Sequence, residues 1–243
     1  MGSCIKIIPQ TVWTFFTNMC CNRPIAREFL NYIASILVVF IFVTTSLLAE
    51  DVKNQKNIAI IGDSLTQGYG LRTENNFVSK LQEQLLNDNY KIKLLNFGVS
   101  GDTTAGGLAR FDWSITPDVS GVVIILGGND MLRGISPQHS YNNLRSMLIS
   151  AQKKNLTVLL VGLSASNNFG YEYKRDFDEM YVKLKDEFKV FYYPNFFKAL
   201  ISDEQENLFK YMQADSIHPN EQGVDLIVAD FSFIMIEFLR NIM

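Results

Sequence analysis

Short, largely apolar runs that end abruptly in glycine, aspartate or asparagine are the strongest constraint on this chain. Ile58–Ile61 runs into Gly62-Asp63-Ser64, Ile92–Phe97 into Gly98-Val99-Ser100-Gly101-Asp102, and Val122–Leu126 into Gly127-Gly128-Asn129-Asp130. Leu156–Leu163 and Val190–Tyr193 supply two further runs of strand length. A strand apolar at every position is buried on both faces, which is the condition of a parallel sheet covered by helices rather than of a half-exposed antiparallel one. Segments with apolar residues at helical spacing lie between the runs. Helices are expected over 76–89, 136–155, 177–188 and 221–243, with Ser136-Pro137 as cap and first residue of the second. The expectation is an α/β chain with a five-stranded parallel sheet between helix layers. Open sheets of this kind place ligands beyond the carboxyl ends of their strands, and the polar clusters fall there.

The N-terminus is of another kind. From Phe29 to Ala49 no residue is charged, and 21 residues at helical rise span about 30 Å, the thickness of a bilayer core. Lys6, Arg23 and Arg27 precede the run while Glu50 and Asp51 follow it, so the remainder is expected on the far side of the membrane. Residues 1–49 are therefore read as a signal peptide or signal anchor and 50–243 as the folded domain. Ser46-Leu47-Leu48-Ala49 offers a cleavage site, with retention as an anchor the alternative, and Met19 is a candidate start. The domain is then periplasmic or secreted, and membrane contact is expected only through 29–49 if that segment is uncleaved.

Composition closes several routes. All three cysteines (Cys4, Cys20 and Cys21) precede the apolar run, and the chain holds only two histidines, so neither a disulfide framework nor a Cys/His metal centre is expected in the domain. The net charge of −3, with no Lys/Arg block, leaves no footprint for nucleic acid. A nucleotide-binding doubly wound domain fails for want of a Gly-x-Gly-x-x-Gly turn or P-loop. No metal and no organic cofactor are expected.

Four loops carry chemistry. A serine at the tight turn Gly62-Asp63-Ser64-Leu65 exposes a hydroxyl at a helix N-terminus. In Asp215-Ser-Ile-His218-Pro219 the carboxylate can fold back onto the imidazole and leave the outer ring nitrogen as a base. Asn129 can offer an amide donor, and Gly101 and Ser64 bare N–H groups. Each element alone has an ordinary explanation as a cap or strand-end turn. Together, at one edge of one sheet, they supply a nucleophile, a base with its orienter and three oxyanion donors, which is the inventory acyl transfer requires. Asp63 and Asp130 are read as structural, His139 as solvated, and Tyr192, Tyr193, Phe196 and Phe197 as core side chains first and groove residues second.

In order and spacing, Gly62-Asp-Ser-Leu65, Gly101, Gly-Gly-Asn129-Asp and Asp215-x-x-His218-Pro resemble the four sequence blocks of the GDSL or SGNH hydrolases. The strings Ser100-Gly-Asp-Thr103, Gly107-Leu-Ala-Arg110, Leu126-Gly-Gly-Asn-Asp130 and Leu132-Arg-Gly134 are most similar to the bacterial periplasmic acyl-CoA thioesterase I, lysophospholipase L1 and arylesterase subgroup. The resemblance covers nearly all of 57–243. It implies a flavodoxin-like three-layer α/β/α sandwich, with Ser64 as nucleophile, Ser64, Gly101 and Asn129 as oxyanion donors, Asp215 as orienter and His218 as base. Asn168-Phe169-Gly170 looks like the subgroup's substrate loop, in which Ser166 replaces a usual proline, a change that bears on acyl-chain preference. Implied substrates are small acyl esters, acyl thioesters or lysophospholipids. The alternatives are an O-acetyl esterase of polysaccharide or cell wall, and an inactive membrane-tethered binding protein.

Overall fold

The computed structural model describes residues 28, 31–42, 55–201 and 209–242. The chain divides into two units, Met1–Asn54 and Gln55–Met243. In the first, residues 31–42 are helical and exposed. Among the described residues no helix is long and apolar enough to cross a membrane. Positions 29, 30 and 43–49 of the expected span, the cleavage site, Met19 and the three cysteines lie outside the described residues.

In the second unit, β1 (Lys56–Gly62), β2 (Ile92–Gly98), β3 (Val119–Ile125), β4 (Thr157–Val161) and β5 (Phe191–Tyr193) form one sheet in the order β2-β1-β3-β4-β5. Every pairing is parallel. Ile58–Ile61 and Val122–Leu126 have no exposed surface, as expected of strands buried on both faces, whereas β2, at the sheet edge, exposes Lys93 and Asn96. The order is that of the flavodoxin-like folds, whose topological switch point lies between β1 and β3. Ser64 follows the first of these strands and Asn129 the second, so the order alone brings the two together.

The helices are α1 (Ser64–Gln67), α2 (Phe77–Asn87), α3 (Thr104–Ser114), α4 (Gly128–Leu132), α5 (Pro137–Lys153), α6 (Tyr171–Phe188) and α7 (Glu221–Arg240). One layer packs α2 against α7, the other α5 against α3 and α6. Under the first layer Phe77 meets Phe196 and Phe231 edge-on at 5.1 and 5.2 Å, and Tyr193 meets Phe231 at 5.0 Å. Tyr193 and Phe196 are thus core residues, while Phe197 reaches the cavity described below. Helix α3 was not among the expected elements. Its interior holds Gly106 and Gly107, poor helix formers, and Gly107 is small because a Cβ there would lie 2.3 Å from Leu126 Cδ1.

Candidate active site

Strand β1 ends at Gly62, where a Cβ would fall 1.9 Å from Thr66 Oγ1; the missing side chain lets α1 turn tightly over the strand end. Asp63 caps that helix, its carboxylate accepting from Leu65 N–H at 3.0 Å. Ser64 is therefore the first residue of α1, and its backbone N–H has no acceptor within the helix. Its Oγ lies 2.8 Å from His218 Nε2. His218 Nδ1 lies 2.7 Å from Asp215 Oδ2, while Asp215 Oδ1 accepts from the N–H groups of Ile217 (2.9 Å) and His218 (3.0 Å). Burial alone raises the Asp215 pKa, but the hydrogen bonds from the His218 ring and from the two N–H groups outweigh it and hold the carboxyl at about 2. With an anionic partner at Nδ1, the ring proton is held there and Nε2 is left to accept.

Ser64, Gly101 and Asn129 line one cavity of about 620 Å³ together with His218. Gly101 sits at φ +82°, a conformation that favours glycine, and its carbonyl accepts from Arg133 Nη2 at 2.8 Å. Arg110 ties the same loop to the sheet, bonding Asp102 Oδ2 at 2.7 Å and the Gly62 carbonyl at 2.9 Å. The Asn129 amide donates to the Asp102 carbonyl at 3.0 Å and, more loosely, to Asp63 Oδ2 at 3.4 Å. Asn129 is placed by Gly127 at φ +125°, where a Cβ would meet the Tyr181 hydroxyl at 2.2 Å; that hydroxyl donates to the Leu126 carbonyl. Burial keeps Tyr181 protonated by pushing its pKa far up.

One cleft thus holds a hydroxyl bonded to an imidazole, an imidazole bonded to a carboxylate, and amide donors beside the hydroxyl. The profile of the GDSL-like Lipase/Acylhydrolase family matches residues 60–226, which include all five of these positions. The chain belongs to this family. It is 34% identical over 165 residues to esterase TesA of Pseudomonas aeruginosa, covering 68% of this chain and 80% of that protein. It is 35% identical over 187 residues to thioesterase 1/protease 1/lysophospholipase L1 of Escherichia coli K12, covering 76% and 85%. The crystal structure of esterase EstA from Pseudoalteromonas sp., inhibited by monoethylphosphonate, superposes with a TM-score of 0.70 at 27% identity, over 76% of this chain and all of that one.

Other residues expected at the site divide. Leu163 to Ser166 line the cavity, whereas Asn168, Phe169 and Gly170, the candidates for a substrate loop, are not among its lining residues. Phe169 instead packs on Gly134 and stands 5.1 Å from the Tyr173 ring. Lys174 fixes the near end of the loop, its Nζ donating to Ser164 Oγ and to the Ala165 carbonyl at 2.8 Å each. Asp130 is structural, as expected: fully buried, it accepts from Thr104 N–H, Thr104 Oγ1 and Ser140 Oγ. His139 is exposed. Among the described residues no group of three or more His, Cys, Asp or Glu side chains could hold a metal ion. The sequence reading missed Arg110, Arg133, Tyr69 and Gln213, all of which bind parts of the site to one another.

Asp63 has a measurable consequence for stability. Burial raises its pKa to about 6, against 3.8 for a free carboxyl, although hydrogen bonds from Leu65 and Asn129 and the charge of His218 pull it down. The folded state therefore binds this proton more tightly than the unfolded one, and stability falls as pH rises between those two values. Above pH 6 the cost reaches about 3 kcal/mol. Asp63→Asn lacks this titration. Its stability relative to wild type is expected to improve by about 2–3 kcal/mol between pH 4 and pH 7, read from denaturant unfolding at the two values. An Asp63→Asn difference that is flat with pH contradicts the assignment.

Proposed function

We propose that this chain is an ester and thioester hydrolase working through an acyl-enzyme on Ser64. The Ser64 Oγ–His218 Nε2–Asp215 geometry carries the proposal. His218 takes the hydroxyl proton as Oγ attacks the acyl carbon, and Asp215 holds the ring and stabilises the imidazolium. Charge developing on the carbonyl oxygen is met by the N–H groups of Ser64 and Gly101 and by the Asn129 amide. The imidazolium then protonates the leaving alcohol or thiol, and water repeats the sequence on the acyl-enzyme with His218 again as base.

The cavity supports an acyl substrate longer than acetyl. Its lining includes the apolar side chains of Leu163, Ala165, Phe197, Ile201, Met212 and Ile217, and its volume is that of a site for a drug-sized molecule. This favours small lipid-like esters, acyl thioesters and lysophospholipids over O-acetylated polysaccharide. The names of the relatives, esterase, thioesterase and lysophospholipase, point the same way. The test is a panel of p-nitrophenyl esters of rising chain length, acyl-CoAs, lysophospholipids and an acetylated glycan, assayed with the purified protein. Turnover confined to acetyl groups overturns the substrate assignment.

The reading also includes export: residues 1–49 direct 50–243 to the periplasm or the medium, and 29–49 tether it there if retained. The charge difference across the apolar run supports this. N-terminal sequencing of the protein recovered from membrane and periplasmic fractions tests it. A mature protein found only in the cytoplasm contradicts it.

A further inference from the structure

The base-bearing loop and the nucleophile-bearing loop are 154 residues apart in sequence yet meet within one hydrogen bond at Ser64 and His218. A closed circuit of further bonds passes behind that contact. The Ser64 carbonyl accepts from the N–H groups of Gly68 (2.9 Å) and Tyr69 (3.1 Å), so the turn after α1 is tied to the serine's own backbone. The carbonyl of Tyr69 accepts from Gln213 Nε2 at 2.8 Å. The second hydrogen of the same amide goes to the Pro219 carbonyl at 3.0 Å, and the Gln213 backbone N–H donates to the His218 carbonyl at 2.8 Å. Gln213 thus holds the carbonyls of His218 and Pro219 and the turn of the nucleophile at once.

Two neighbouring features fit the same device. Gly70 has φ +73°, and a Cβ there would fall 2.1 Å from Gln213 Oε1, so the glycine leaves room for the glutamine to cross. The Tyr69 ring, whose backbone the amide grips, lies 4.7 Å from the His218 ring and shields one face of it.

We propose that Gln213 is a positioning residue, a strut whose side-chain amide sets the separation of Ser64 from His218 by bridging the Tyr69 and Pro219 carbonyls. It touches no reacting atom and acts only through the two loops it joins. The proposal rests on the assignment of Ser64 and His218 made above. A shift of about 1 Å between nucleophile and base can cost as much as ~10²-fold in rate. Binding of the acyl group in the cavity does not depend on that distance, so the strut should appear in kcat and not in KM.

Three variants of the full chain test this. Gln213→Met keeps the side chain's length and removes both donors. Gln213→Glu keeps its shape but sets a carboxylate against two carbonyl oxygens. Gly70→Ala displaces the glutamine from the other side. With kcat normalised to sites titrated by an organophosphonate, each variant is expected to lose about 10- to 100-fold in kcat, with KM within about threefold of wild type. Because both changes break one circuit, the Gly70→Ala/Gln213→Met double variant should be no slower than the slower single. If Gln213→Met yields no folded protein, Gly70→Ala carries the same comparison with the glutamine still present. Wild-type kcat in whichever variant is measured, losses that multiply in the double variant, or a fall expressed only in KM overturns the proposal. Ser64→Ala is assayed alongside: if it still turns over, the nucleophile assignment fails, whereas an inactive Ser64→Ala beside an unaffected Gln213→Met removes the strut alone.

Discussion

Ser64→Ala is expected to lose at least about 10³-fold in kcat and to melt within a few degrees of wild type. The side chain contributes one hydrogen bond, to His218 Nε2, and its loss leaves the Asp63 cap on Leu65 N–H untouched. The large effect on rate and the small effect on stability separate a reacting group from a structural one. Steady-state hydrolysis of a p-nitrophenyl ester, paired with thermal unfolding, reads both. A variant that keeps near wild-type turnover, in protein free of host esterase, rules out the serine mechanism.

Asn129→Ala is expected to lose about 10²–10³-fold in kcat with KM little changed, since an oxyanion donor is worth most when charge has developed. In the resting site the amide is engaged at 3.0 Å with the Asp102 carbonyl and only at 3.4 Å with Asp63. The looser hydrogen is the one available to a substrate oxygen. Asn129→Asp, nearly identical in shape, removes both donors and sets a second carboxylate beside Asp63, so its loss should be at least as large. Comparison of kcat and KM for both variants decides the matter. A rise in KM alone would assign Asn129 to substrate binding instead.

Where the sequence was legible, the signal was local. Strands β1 and β3 could be read because residues buried on both faces leave an apolar run, and the Gly and Asn that follow mark the ends. Asp215 and His218 could be read because only two residues separate them and the turn closes on itself. Ser64 and Asn129 gained meaning only from sharing one sheet edge. Helix α3 was hidden by its glycines, whose reason lies in Leu126 on another element. Gln213 was hidden for the same reason at greater range: its partner Tyr69 lies 144 positions away, and an amide that bridges two carbonyls leaves no pattern in its neighbours. Nothing in the local sequence marks Ser164 and Ala165 as cavity-lining, because Lys174 and Asp178 on the following helix anchor them there while Phe169 turns onto Gly134.

The claim on which all of this turns is that Ser64 Oγ forms the covalent bond to the acyl group. The direct measurement is covalent capture with a p-nitrophenyl phosphonate ester, followed by mass spectrometry of the peptides and fragmentation to the modified residue. The expected result is one p-nitrophenol released per active chain, a single phosphonyl adduct on Ser64, and loss of hydrolysis in proportion to labelling. Ser64→Ala should remain unlabelled, and His218→Ala should label far more slowly. An adduct on Ser100 or any other residue that accompanies inactivation, or full hydrolysis by protein labelled at Ser64, would contradict the account.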